Sequence, residues 1–132
     1  MKALDTNVII RFLLNDDKAQ AQKVKTFFER AETTGEQYFV STPVVLETVW
    51  VLSAVYDFGR QEVLQALELL TELPILDFDD FELIRDVVRL GRDTKADIPD
   101  LLIGLSGNRA GCETTLTFEK GLGRTGLFER IP

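Results

Sequence analysis

Five carboxylates stand where the surrounding sequence offers them little ordinary surface: Asp5, Glu47, Asp97, Asp100 and Glu119. Asp5 ends the opening run and is followed by Thr6-Asn7 and then Val8-Ile9-Ile10. An acid placed where a strand hands over to a helix points into the crevice where open α/β sheets bind ligands. It serves equally as a helix N-cap, a role for which Asp, Thr and Asn are all suited. Glu47 is the only charged residue between Pro43 and Tyr56. In a mostly buried helix it needs a cation, either a basic side chain from elsewhere or a metal, or else an exposed sliver of that helix. Asp97 and Asp100 flank Ile98-Pro99 ahead of Leu101-Leu102-Ile103. Asp100 falls in the first turn of an apolar helix, where the helix dipole favours an anion, and Asp97 is placed to cap that turn. Glu119 follows the β-rich run Thr114–Phe118 and reads either as a strand-end ligand or as a solvated loop acid before Lys120.

Asp5 and Glu119 end strands, while Glu47 and Asp100 belong to helices that follow strand ends. Convergence of these four at the carboxyl edge of one parallel sheet would make them repel and take up protons unless cations neutralised them. Oxygen-only ligation selects hard ions, Mg²⁺ or Mn²⁺. Such ions polarise a phosphodiester, lower the pKa of a bound water and stabilise the departing oxygen. The chemistry is metal-dependent phosphodiester hydrolysis.

Composition limits the alternatives. The chain has 132 residues, 45% hydrophobic and 28% charged, as expected of one soluble domain spanning residues 1–132. Its net charge of −7 argues against nucleic-acid binding through bulk positive charge. It has no histidine, which removes Ser-His-Asp and Cys-His hydrolysis and His-ligated zinc. The single Cys112 can form no internal disulfide and suits a reducing cytoplasm. Met1 leads into a strand rather than a secretory signal, and no apolar run reaches the length of a membrane span.

The elements that must position the acids follow from periodicity. After the opening strand, Val8–Leu14 continues as an apolar helix. Lys18–Arg30 is a helix with Ala21, Val24, Phe27 and Phe28 inward, ended at Gly35. Gln37–Ser41 is a strand, and Thr42-Pro43 opens a helix that runs to Tyr56, apolar almost all round and closed at Gly59. Arg60–Glu72 is amphipathic, Ile75–Phe78 is a strand, and Asp79–Arg92 is a helix with Phe81, Ile84, Val88 and Leu90 inward. Pro99–Ala110 is helical, Thr114–Phe118 is a strand and Leu127–Ile131 a last short one. Alternating strands and helices imply right-handed crossovers and a parallel sheet covered on both faces.

Leu4-Asp5-Thr6-Asn7-Val8, Glu47 in its apolar helix, Ala96-Asp97-Ile98-Pro99-Asp100-Leu101-Leu102-Ile103 and Leu116-Thr117-Phe118-Glu119 occur in that order. This ordered set resembles the PIN-domain family, most closely the VapC-type ribonuclease toxins of prokaryotic toxin–antitoxin pairs. The resemblance spans essentially the whole chain; its specificity lies in the order, since no single motif is strong. It implies a three-layer α/β/α sandwich with a mainly parallel central sheet. The family's acids map onto Asp5, Glu47 and Asp100 as catalytic metal ligands, with Asp97 as the frequent extra acid upstream. The late T-x-D motif maps onto Thr117 and Glu119, where this chain carries Glu in place of the usual Asp; the longer side chain still reaches a metal directly or through water. Thr6 and Asn7 match the family's D-T-N start and orient Asp5 or a phosphate oxygen, or cap the helix. The resemblance further implies a Mg²⁺- or Mn²⁺-dependent endoribonuclease, homodimeric, with RNA as substrate and a cognate antitoxin as partner.

For gripping RNA the sequence offers Arg11, Lys18, Lys95, Lys120 and Arg124, each also readable as a solvated surface charge. Other readings are a PIN-like nuclease of RNA processing or DNA flaps, a phosphoryl-accepting receiver-like pocket, and a scaffold that binds RNA or a partner without cutting. The receiver reading lacks the acidic pair expected at the first strand, because Lys2 precedes Asp5 and no acid adjoins it.

Overall fold

Every strand pairing in the molecule is parallel, but the strands form two sheets, of three and of two strands, rather than the one sheet expected. The computed structural model describes residues 1–132. Its backbone contacts separate Met1–Phe81 from Glu82–Pro132.

In the first unit, β1 (Lys2–Ala3), β2 (Tyr38–Val40) and β3 (Leu76–Phe78) form a sheet with β2 in the middle. Lys2 lies opposite Tyr38, and Tyr38 opposite Leu76. β1 connects to β2 through α1 (Thr6–Leu13) and α2 (Lys18–Thr34), and β2 to β3 through α3 (Thr42–Ala54) and α4 (Arg60–Thr71). Local chemistry sets these boundaries. Asp17 caps α2 by accepting the Gln20 N–H at 3.1 Å, Gly35 ends it in the left-handed region at φ 76°, and Ser41 caps α3. Gly59 opens α4 rather than closing α3: its N–H donates to Glu62 Oε1 at 3.0 Å. The core of this unit centres on Ile9, Val40, Val49, Leu52, Leu64 and Leu67, all essentially inaccessible to solvent.

Two helices bury other faces than periodicity suggested. In α2 only Phe28 and Ala31 are buried, and Phe27 remains 41% exposed. In α3 the buried stripe is Val45, Thr48, Val49 and Leu52, the i, i+3, i+4, i+7 spacing of a one-sided helix. Its opposite side carries Glu47 and Trp50, both exposed. The helix is therefore half-buried, because apolar residues all round its circumference do not oblige the fold to cover all of them.

The second unit contains α5 (Phe81–Asp93, its first residue at the boundary), α6 (Ile98–Arg109), β4 (Thr115–Thr117), a 3₁₀ turn (Leu122–Thr125) and β5 (Phe128–Arg130). α5 buries Leu83, Ile84, Val87 and Val88, so Phe81 and Leu90, expected inward, give way to Leu83 and Val87. Gly104 on α6 lets the helix pass close to β5: a Cβ there would lie 2.7 Å from the Phe128 ring. No helix is long and apolar enough to cross a membrane.

Candidate active site

The second unit gathers three of the five candidate acids around one open cleft of about 600 Å³. One wall is the segment from Arg92 at the end of α5 to Asp97 and Asp100 at the start of α6. The other runs from Glu119, just past β4, through Lys120 and Gly121 to Thr125. Asp97 occupies the N-cap position of α6, yet its side chain makes no cap hydrogen bond. The capping role expected for it is absent, and its carboxylate is left to the cleft. Asp100, half-buried in the first turn, is the electrostatically perturbed member. Burial raises its carboxyl pKa above the ordinary carboxylate value, and the negative charges of Glu119 and Asp97 add to the rise. Glu119 is exposed. Its N–H donates to Thr117 Oγ1 at 3.0 Å, so the Thr117 hydroxyl fixes the turn that carries Glu119 past the end of the strand.

The other two acids belong to the first unit. Asp5 follows β1 and serves as the N-cap of α1, its Oδ1 accepting the Thr6 N–H at 2.8 Å. The cap reading of Asp5 is thus met, at the strand-to-helix handover, and its side chain stays exposed. Next to it, Thr6 is 5% exposed and its Oγ1 has no hydrogen-bond partner. A buried, unsatisfied hydroxyl is rare and costly. Asn7 is exposed. Glu47 lies on the exposed side of α3, so burial does not force a cation on it; solvent accounts for its charge, and that same exposure keeps it open to an incoming ligand.

The donors are carboxylate and hydroxyl oxygens, in a chain with no histidine, and in kind they fit a hard divalent cation. No three acidic side chains are drawn together closely enough to form a ready-made cage for one ion.

Among the basic candidates, Arg11 is committed elsewhere. Its guanidinium meets Asp16 at 2.7 Å and donates to Gln20 Oε1 at 2.9 Å, and the Tyr56 hydroxyl donates to Asp16 at 2.8 Å. The Tyr56 hydrogen bond, with the Arg11 charge beside it, holds the Asp16 carboxyl below its ordinary range against partial desolvation. Lys18 borders a separate cleft beside the end of α1. Lys95, Lys120 and Arg124 line the acidic cleft. Arg92 and Asp93, which sequence reasoning passed over, line it too; both look like the solvated end of an amphipathic helix, and no local signal marks them.

The sequence profile of the PIN domain matches residues 2–126. A protein of Aquifex aeolicus (strain VF5) named VapC ribonuclease is 24% identical over 127 residues, covering 96% of this chain and 93% of that protein. With parallel strands, acids at strand ends and helix starts, and a profile match across nearly its whole length, the chain belongs to the PIN domain family.

Proposed function

We propose that this protein is a metal-dependent endoribonuclease, the toxin of a VapBC-type toxin–antitoxin pair, working as a homodimer in the cytoplasm. The two units act as one PIN domain, a reading supported by the profile match that runs through both. The observation that carries the nuclease reading is the cleft lined by Asp97, Asp100 and Glu119, whose wall offers acidic oxygens and no thiol, in a chain with no histidine for other hydrolytic chemistry. The relative named VapC ribonuclease supports RNA as the substrate.

Asp5, Glu47, Asp100 and Glu119 carry catalysis and hold Mg²⁺ or Mn²⁺, with Asp97 as a further ligand. Such an ion, when bound, supplies a water of lowered pKa and charge stabilisation at the phosphodiester. The protein's own share is positional. The Thr6 N–H fixes one oxygen of Asp5, which leaves the other free to bind. Thr6 orients Asp5 through that N–H rather than through its buried, unpartnered hydroxyl, and the exposed Asn7 orients Asp5 or a phosphate oxygen. Thr117 holds the turn that presents Glu119. The missing cap bond of Asp97 leaves its carboxylate available.

The test is cleavage of a mixed set of structured RNAs by purified protein with Mg²⁺, Mn²⁺ or EDTA, beside Asp5→Asn. Discrete cuts that need metal and vanish in the variant are expected. Cutting that survives both EDTA and Asp5→Asn would refute the mechanism. Binding of metal and RNA without any cutting would favour the scaffold reading.

A further inference from the structure

Lys95, Lys120 and Arg124 share the cleft with Asp97, Asp100 and Glu119, yet none of these three cations forms an ion pair. The opposite charges lie on the same walls without neutralising one another. They arrive from two separate segments, Lys95 ahead of α6 and the other two after β4. Arg124 is not on a loose loop. It lies in the 3₁₀ turn Leu122–Thr125, which is anchored by the buried Leu122 and bracketed by Gly121 at φ 93° and Gly126 at φ 78°, conformations that only glycine adopts without strain.

The setting gives these cations a task. The whole chain carries a net charge of −7, so its long-range field repels a polyanion. Any nucleic acid that reaches the acids must be held by local positive charge. Arg11 cannot supply it, being tied to Asp16, and Lys18 faces a different cleft.

We propose that Lys95, Lys120 and Arg124 form a backbone-phosphate subsite that holds a single RNA strand against the acidic wall of the cleft. The proposal rests on the nuclease reading for the identity of its ligand. It goes further in separating two functions of one cleft: carboxylates for the metal, and unpaired cations for the phosphates that flank the cut. Contacts of this kind carry no base information, so they set affinity and salt dependence rather than sequence preference.

The experiment is fluorescence anisotropy of a labelled single-stranded RNA of about twenty nucleotides in EDTA, where no cleavage intervenes. Three phosphate contacts on a single strand predict a slope of log K against log salt near −2. Affinity should therefore fall roughly 20-fold between about 50 and 200 mM salt. Each of Lys95→Gln, Lys120→Gln and Arg124→Gln should flatten the slope by about 0.7, and the triple variant should lose it. Lys18→Gln should change nothing. The three side chains are exposed and unpaired, so melting temperatures of the variants should match the parent and exclude misfolding. A triple variant with unchanged affinity and slope, or a parent with no salt-dependent RNA binding, overturns the subsite. Cleavage assayed on the same preparations separates the two readings. Salt-dependent binding lost in the triple variant, from a protein that never cuts, keeps the subsite and removes the nuclease; metal-dependent cutting with binding unaltered in the triple variant does the reverse.

Discussion

Replacing Asp100 by Asn should stabilise the protein while disabling it. The Asp100 carboxyl is held above its ordinary pKa by burial first, then by the charges of Glu119 and Asp97. The folded state therefore binds more protons at this site than the unfolded chain does, in the window from the ordinary carboxylate value up to the raised one. Across that window stability falls as pH rises, and above it the full penalty of an ionised Asp100 persists. Asn has the same shape and no charge, so it removes that penalty at neutral pH and removes nothing where Asp100 is already protonated. The site is only half-buried, and water screens the repulsion to about 0.5–1 kcal/mol. For a chain of this length that corresponds to roughly 2–4 °C in melting temperature. Thermal melts of parent and Asp100→Asn should differ by that amount near pH 7.5, by less in high salt, and should converge as pH is lowered towards the ordinary carboxylate range. A variant that melts lower than the parent at neutral pH, or a gain independent of pH, would refute the electrostatic account of the cleft.

Thr6→Val replaces a buried, unpartnered hydroxyl with a methyl of the same shape and should stabilise the fold by about 1 kcal/mol; a lower melting point would mean that the hydroxyl has a partner in the folded protein. Cleavage should be unchanged in the same variant, because the contact that orients Asp5 comes from the Thr6 backbone N–H, which valine keeps. Tyr56→Phe removes the hydroxyl that donates to Asp16 and should cost about 1 kcal/mol in chemical denaturation, with kcat/KM on RNA unchanged, since Arg11 is committed to that cluster. Gly104→Ala sets a methyl 2.7 Å from the Phe128 ring and 3.0 Å from Leu127 Cβ, and a loss of about 1–3 kcal/mol by urea unfolding is expected.

What the sequence made legible was the order of elements and the presence of misplaced acids; what it hid was which side of each helix faces inward. Alternation of strand and helix patterns led correctly to parallel pairing throughout. The α4 face Val63, Leu64, Leu67 and Leu70 was readable because polar residues separate its apolar positions. In α3 every position but a few is apolar, so periodicity carries no phase and predicts a buried setting for Glu47, which is exposed. At Asp97 the residue type suggested a cap that the structure does not make. Capping depends on a side-chain torsion that residue identity does not determine. Among the five basic candidates only the folded structure distinguishes Arg11, engaged by Asp16, from Lys95, Lys120 and Arg124, which line the cleft unpaired.

The central claim is that acids from separate parts of the chain act as a single catalytic unit. Its most direct test is the single-turnover rate of RNA cleavage in Mn²⁺ for the parent, Asp5→Asn, Asp100→Asn and the double variant. Residues that act as a unit are strongly non-additive. Each single change should cost on the order of 10³-fold or more, and the double variant should be no slower than the slower single one. An Asp100→Asn protein that cuts within tenfold of the parent rate, or losses that simply multiply in the double variant, would contradict the account.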